Sequence, residues 1–167
     1  MSTNTAYRYL VHGPIDFAEA AAISASGDHT TGADLLFWGV IRADEVNGQR
    51  VKEIEYSAYE PMAETVFGRI EAQVMEKHGI ASITIRHSVG TVRAGEISML
   101  VYVRSKHRAE AYAANRDAVE QIKAHAPVWK KELYENGTHA WPNCERCAAG
   151  HHHHHDHDHH GHHHHHH

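Results

Sequence analysis

The chain has 167 residues, 41% of them hydrophobic and 22% charged, with a formal charge of -5 when histidines are neutral. All 16 Lys and Arg and all but two of the 21 acids precede residue 150, so the body is mildly acidic, which argues against a general nucleic-acid binder and makes any anion site local. No apolar run reaches the length of a membrane span, and residues 1–10 lack the layout of a signal peptide, so a cytoplasmic location is expected. Two cysteines imply no disulfide framework.

In chain order, Pro14-Ile15-Asp16 opens a short alanine-rich helix from Phe17 to Ile23, closed near Gly27. Residues 26–32 read as a loop. The bounded apolar run from Leu35 to Ile41 predicts a buried strand ending at Arg42. Asn47-Gly48 signals a turn, and Val51–Tyr59 is expected to return as the second strand of a hairpin. Pro61 suits a first helical turn, and Met62, Ala63, Val66, Phe67, Ile70 and Val74 recur at helical spacing to about His78, where Gly79 supplies a stop.

Alternation then predicts strands over Ile83–Val89 and Ile97–Val103, joined through Arg93-Ala94-Gly95-Glu96. A second long helix is expected from Lys106 to Ala124, with Ser105 as N-cap and Pro127 enforcing its end. Val128–Tyr134 reads as a last strand, followed by a turn at Asn136-Gly137. Helices and strands mixed with hairpin-type links describe an α+β domain over residues 1–142.

Basic residues cluster around the second long helix. His107 and Arg108 fall in its first turn, where unpaired N–H groups and the helix dipole attract anions. An arginine grips phosphate through two parallel bonds; the alternative is a local salt bridge with Glu110. Lys123, near the far end, either complements the dipole or serves chemistry. Strand alternation places Lys130 and Glu132 on one face and Lys131 on the other, as an exposed ion pair or as part of a pocket. Arg42 closes an apolar strand and points either to water or into a cleft.

Taken together and in order, these segments resemble a family. Gly39-Val40-Ile41-Arg42, Glu55-Tyr56-Ser57-Ala58-Tyr59-Glu60-Pro61-Met62-Ala63, His87-Ser88-Val89-Gly90 with Gly95-Glu96, Ser105-Lys106-His107-Arg108, and Lys123 with Pro127-Val128-Trp129-Lys130-Lys131-Glu132 are similar to the catalytic, large subunit of molybdopterin synthase (MoaE). The resemblance runs from about Asp34 to Trp141. It implies an α/β hammerhead-type α+β fold with an antiparallel or mixed sheet and two long helices. It also implies transfer of sulfur to cyclic pyranopterin monophosphate, giving the dithiolene of molybdopterin.

By the same resemblance, sulfur arrives as a thiocarboxylate on the terminal glycine of a small ubiquitin-like (MoaD-type) partner. The large subunit is a homodimer within a heterotetramer, and catalysis requires no cofactor. The resemblance assigns Lys123 and Lys130 to catalysis and Val40, Ile41, Arg42, His107, Arg108, Lys131 and Glu132 to binding or positioning the substrate. Ser57, where the family usually has Glu, and Ser88, where Arg commonly follows His87, depart from the pattern; His87 itself reads as structural.

Residues 143–167 are of another kind. Cys144 and Cys147 form a CxxC, followed by His151, His152, His153, His154 and His155 and further histidines to His167. Thiolate and imidazole are ligands for zinc and nickel, so a metal-binding tail, disordered without metal, is expected. The last six histidines have the form of a purification tag. The rival reading for the whole chain is a metal-binding protein or metallochaperone acting through this tail.

Overall fold

The two strands expected between residues 82 and 105 form the centre of the sheet. The computed structural model describes residues 7–25 and 29–142. Its elements are β1 (Leu10–His12), α1 (Phe17–Ala25), β2 (Ala33–Val40), β3 (Glu45–Val46), β4 (Gln49–Ala58), α2 (Glu60–His78), β5 (Ser82–Arg93), β6 (Ile97–Ser105), α3 (Arg108–His125), β7 (Val128–Tyr134) and β8 (His139–Ala140). The α+β class and the two long helices expected from the sequence are present. No helix among the described residues is long and apolar enough to cross a membrane.

The strand order is β2-β6-β5-β4-β7-β8, with β1 parallel to β5 and β3 paired to β4. β5 is the pivot: residues 82–87 pair with β6, whereas Gly90–Arg93 pair with β4. The sheet therefore divides into a broad half that carries the helices and a smaller half built from β4, β7 and β8.

One expectation about pairing is overturned. The Asn47-Gly48 turn forms, with both residues at positive φ (51° and 76°) as a two-residue hairpin loop requires, but its first arm is only Glu45–Val46. β2 instead pairs antiparallel with β6 along its length. Beyond β2, Ile41 N–H donates to Glu96 O and Gly95 N–H donates to Ile41 O, which ties the chain to the β5–β6 turn and away from β4.

From Leu35 onward β2 is apolar because side chains on both of its faces pack against apolar clusters. Leu35 and Phe37 pack on the main core beneath α2 and α3, where Phe67, Val74, Ile85, Val101 and Ala114 are fully buried. Leu36 and Trp38 join Ile15, Leu100 and Tyr102 on the other face, where Phe17 of α1 meets Trp38 edge-on at 4.9 Å. A third cluster of Ile41, Val51, Ile54, Val92 and Tyr134 fills the smaller half.

Helix ends follow local chemistry with one exception. Gly79, at φ 60°, closes α2 in the left-handed conformation that glycine adopts at least cost. α3 begins at Arg108, two residues later than expected, with His107 at the N-cap position and no side-chain cap bond. Ser105 is the last residue of β6, paired with Ala33 and 1% exposed, so strand pairing overrides its capping preference.

Candidate active site

The end of α3 and the start of β7 meet across a tight turn. Ala126 N–H closes the helix on Ile122 O, and Val128 N–H bonds Ala126 O at 2.8 Å. Pro127 has no N–H to continue the helix. Lys123, on the last helical turn, and Lys130, three residues into β7, flank this turn, and both are exposed.

The register of β7 with β4 sets which side chains share a face. Lys130 lies opposite Tyr56 and Glu132 opposite Ile54, whereas Lys131 lies opposite Glu55 on the reverse face, as alternation predicted. Glu132 accepts the Tyr134 hydroxyl at 3.1 Å. On the reverse face the Lys131 ammonium sits 6.0 Å from the centre of the Trp141 ring.

Tyr56 connects this strand to the end of β2. Its hydroxyl donates to Ser98 Oγ at 3.3 Å, and Ser98 Oγ donates to Gly39 O at 3.2 Å. Burial pushes the Tyr56 hydroxyl up from its ordinary value; the bond to Ser98 opposes this and the Glu132 charge adds to it. At neutral pH Tyr56 therefore keeps its proton as a fixed donor.

A groove lies along α3 on the side of β2. Phe37, Tyr112, Asn115, Arg116, Val119 and Glu120 line this open depression of about 260 Å³. Asn115 anchors the helix by donating to Val101 O at 3.0 Å. Lys123 follows Val119 by four residues and Glu120 by three, so it continues the same helix face. The sequence reading missed this groove because it followed the alanine stripe of α3 that faces the sheet. The spacing of Tyr112, Arg116 and Glu120 was the available signal.

The remaining expected residues lie elsewhere. Arg42 projects beyond β2 and pairs with Asp44 at 2.8 Å, its side chain 81% exposed. Val40 is exposed, but Ile41 is buried in the third cluster, where it packs rather than presents itself to a ligand. His107 and Arg108 are exposed at the opposite end of α3 from Lys123. At a rise of roughly 1.5 Å per residue, Arg108 and Lys123 are separated by about 22 Å along the axis. Within one chain His107 and Arg108 are thus not brought beside Lys123.

His87, expected to be structural, is packed inside the fold. It is buried with its ring edge-on to Tyr56, its Nδ1 lies 2.9 Å from Ser88 O, and burial pulls its pKa down against that bond. Cys144, Cys147 and His151 to His155 lie outside the described residues. Among the described residues no group of three or more His, Cys, Asp or Glu is placed to hold a metal.

Residues 10–125 match the family model described as MoaE protein. The chain belongs to the MoaE family. It is 34% identical to a protein named molybdopterin synthase catalytic subunit from Nostoc sp., over 83% of this chain and 82% of that one. A protein of the same name from Bacillus subtilis is 41% identical over 67% of this chain and 76% of its own length.

The fold is similar to the crystal structure of molybdopterin synthase from Staphylococcus aureus, with TM-score 0.73 and 31% identity over 84% of this chain and 99% of that one. It is also similar to a chain in the complex of subunits 1 and 2 of the molybdopterin-converting factor from Helicobacter pylori, with TM-score 0.67 and 25% identity over 82% and 90%. The MoaE match includes Arg42, His107, Arg108 and Lys123 and stops before Lys130. None of these likenesses supports the metallochaperone reading.

Proposed function

We propose that this chain is the catalytic subunit of a molybdopterin synthase and acts as a sulfurtransferase. It moves sulfur from the thiocarboxylate of a small ubiquitin-like subunit to cyclic pyranopterin monophosphate, forming the molybdopterin dithiolene. The observation that carries the reading is the meeting of α3 and β7, which sets Lys123 and Lys130 on either side of one turn in a chain of the MoaE family. Both ammonium groups face an anionic donor and an anionic substrate, and each stabilises negative charge that develops as the sulfur is transferred. Glu132 and Tyr56 position Lys130, its neighbours on the same strand face.

The separation of Arg108 from Lys123 exceeds the length of a pterin monophosphate. His107 and Arg108 therefore serve this reaction by grasping the phosphate at a site completed by a second copy of the chain. Two copies and two sulfur carriers then make a heterotetramer. The catalytic step draws on no metal or organic cofactor, and the work is cytoplasmic. Metal binding by the tail is a separate reading that rests on the CxxC and the five consecutive histidines from His151. The test of catalysis is incubation of the purified chain with thiocarboxylated carrier and pterin precursor, with the dithiolene product followed by mass spectrometry. Absence of product from a stable complex of the two subunits would remove the reading.

A further inference from the structure

The loop before β2 lies against the peptide that leads into α3. Gly32 N–H donates to Ser105 O at 3.1 Å, which extends the β2–β6 ladder one residue past the end of β2. A Cβ on Gly32 would stand 2.8 Å from the Lys106 carbonyl oxygen. That oxygen belongs to the same rigid peptide unit as the His107 N–H. Any side chain at position 32 must therefore push or rotate the unit that sets where His107 and Arg108 begin.

A polar brace holds this loop in place. The Asp34 carboxylate accepts the Tyr102 hydroxyl at 2.8 Å, the Arg104 Nε–H at 3.3 Å and the Thr31 hydroxyl at 3.4 Å. Arg104 also donates from Nη2 to Thr31 Oγ1 at 3.2 Å, and its side chain is only 11% exposed. Asp34 lies opposite Arg104 and Ala33 opposite Ser105, so brace and contact share one register. Charge-assisted bonds between partly buried groups are stronger and more directional than neutral ones. The brace sits beside the start of α3, whereas Lys123 lies on its last turn.

We infer that Gly32, held by the Thr31–Asp34–Arg104 brace, is a positioning element that fixes the His107–Arg108 end of α3 for an anionic phosphate group. The inference rests on the assignment of His107 and Arg108 to the substrate phosphate made above. Its consequence is specific: disturbing Gly32 weakens the grip on phosphate and leaves the sulfur-transfer step at Lys123 and Lys130 intact.

The test uses the complete complex with thiocarboxylated carrier and compares wild type with Gly32→Ala, Thr31→Val and Arg108→Ala. Loss of one charge-assisted bond to phosphate should raise KM for the pterin roughly tenfold in Gly32→Ala. kcat should stay near the wild-type value, and inorganic phosphate should weaken as a competitive inhibitor in the same proportion. A merely structural role for Gly32 would not move phosphate inhibition and KM together. Thr31→Val adds no bulk near Lys106 and should shift both in the same direction by less, so it decides the matter if Gly32→Ala does not fold. Unchanged KM and phosphate inhibition in the folded Gly32 and Thr31 variants, with Arg108→Ala raising KM and weakening phosphate inhibition, overturns the positioning role and leaves the assigned function standing. An Arg108→Ala variant indistinguishable from wild type overturns both the phosphate assignment and this inference. A wild-type complex without turnover overturns the sulfur-transfer reading and this inference with it.

Discussion

Replacing Asp117 by Asn should loosen the joint between the two long helices. The Asp117 carboxylate, halfway along α3, accepts from Lys77 Nζ at 3.1 Å and from Gln121 Nε2 at 3.1 Å, and lies 2.8 Å from His78 Nε2 at the end of α2. Burial pushes its pKa up, but the bonds from His78, Gln121 and Lys77 outweigh this and bring it down from 3.8 to about 2. At about 1.4 kcal/mol per pH unit this amounts to roughly 2.4 kcal/mol. The Lys77 side chain is 65% exposed, and solvent screening reduces the contribution to roughly 1–2 kcal/mol.

For a domain of this size, that loss lowers Tm by roughly 3–8 °C at pH 7. The sign with pH follows from a folded pKa that lies below the unfolded one. The contribution is fully present above the unfolded value of 3.8 and disappears as pH falls through about 2. Urea melts of wild type and Asp117→Asn should differ at pH 7 and converge between pH 4 and pH 2. Equal stability at pH 7, or a gap that persists unchanged at pH 2, would refute the argument.

Other perturbations probe different links. Phe67 is fully buried and stacks on Tyr9 with ring centres 5.8 Å apart, so Phe67→Ala should cost roughly 3–5 kcal/mol in a denaturant titration; a loss below 1 kcal/mol would contradict its place in the core. Gly79 sits at φ 60° with open space around its Cβ direction, so Gly79→Ala should cost about 1 kcal/mol through backbone strain alone, read as a Tm shift without change in turnover. Truncation after Asn143, which removes the CxxC together with the histidines, should abolish stoichiometric zinc or nickel binding, measured by titration calorimetry, and leave dithiolene formation at the wild-type rate. Retained stoichiometry would end the metal-binding reading of the tail.

Local signals in the sequence specified local structure well. The period of Ala63, Phe67, Ile70 and Val74 with Pro61 before it and Gly79 after it marked α2, because helix period and terminal chemistry act within a few residues. The alternation in β7 placed Lys130 and Glu132 together for the same reason. The partner of β2 was not legible, since pairing with β6 joins residues 57 to 72 positions apart and no local pattern encodes it. Ser105 carries a capping preference and a strand position at once, and only the ladder to Ala33 decides between them.

The candidate site divides in the same way. Residue identities around the α3–β7 turn were readable, whereas the groove of Phe37, Tyr112 and Arg116 exists only once β2 lies beside α3. The distance from Arg108 to Lys123 was computable from helix rise before any coordinates. It separates the end proposed to grasp phosphate from the end proposed to serve sulfur transfer on one helix.

The account stands most directly on the two lysines flanking the 126–128 turn. Single-turnover reactions of the carrier complex with Lys123→Ala and Lys130→Ala, followed by mass spectrometry of the pterin, should show bound carrier, an unchanged melting temperature and at least a hundredfold loss of dithiolene formation, in line with the removal of a charge-stabilising donor. Product formed at the wild-type rate by either variant would contradict the role given to that lysine, and by both would dismantle the site.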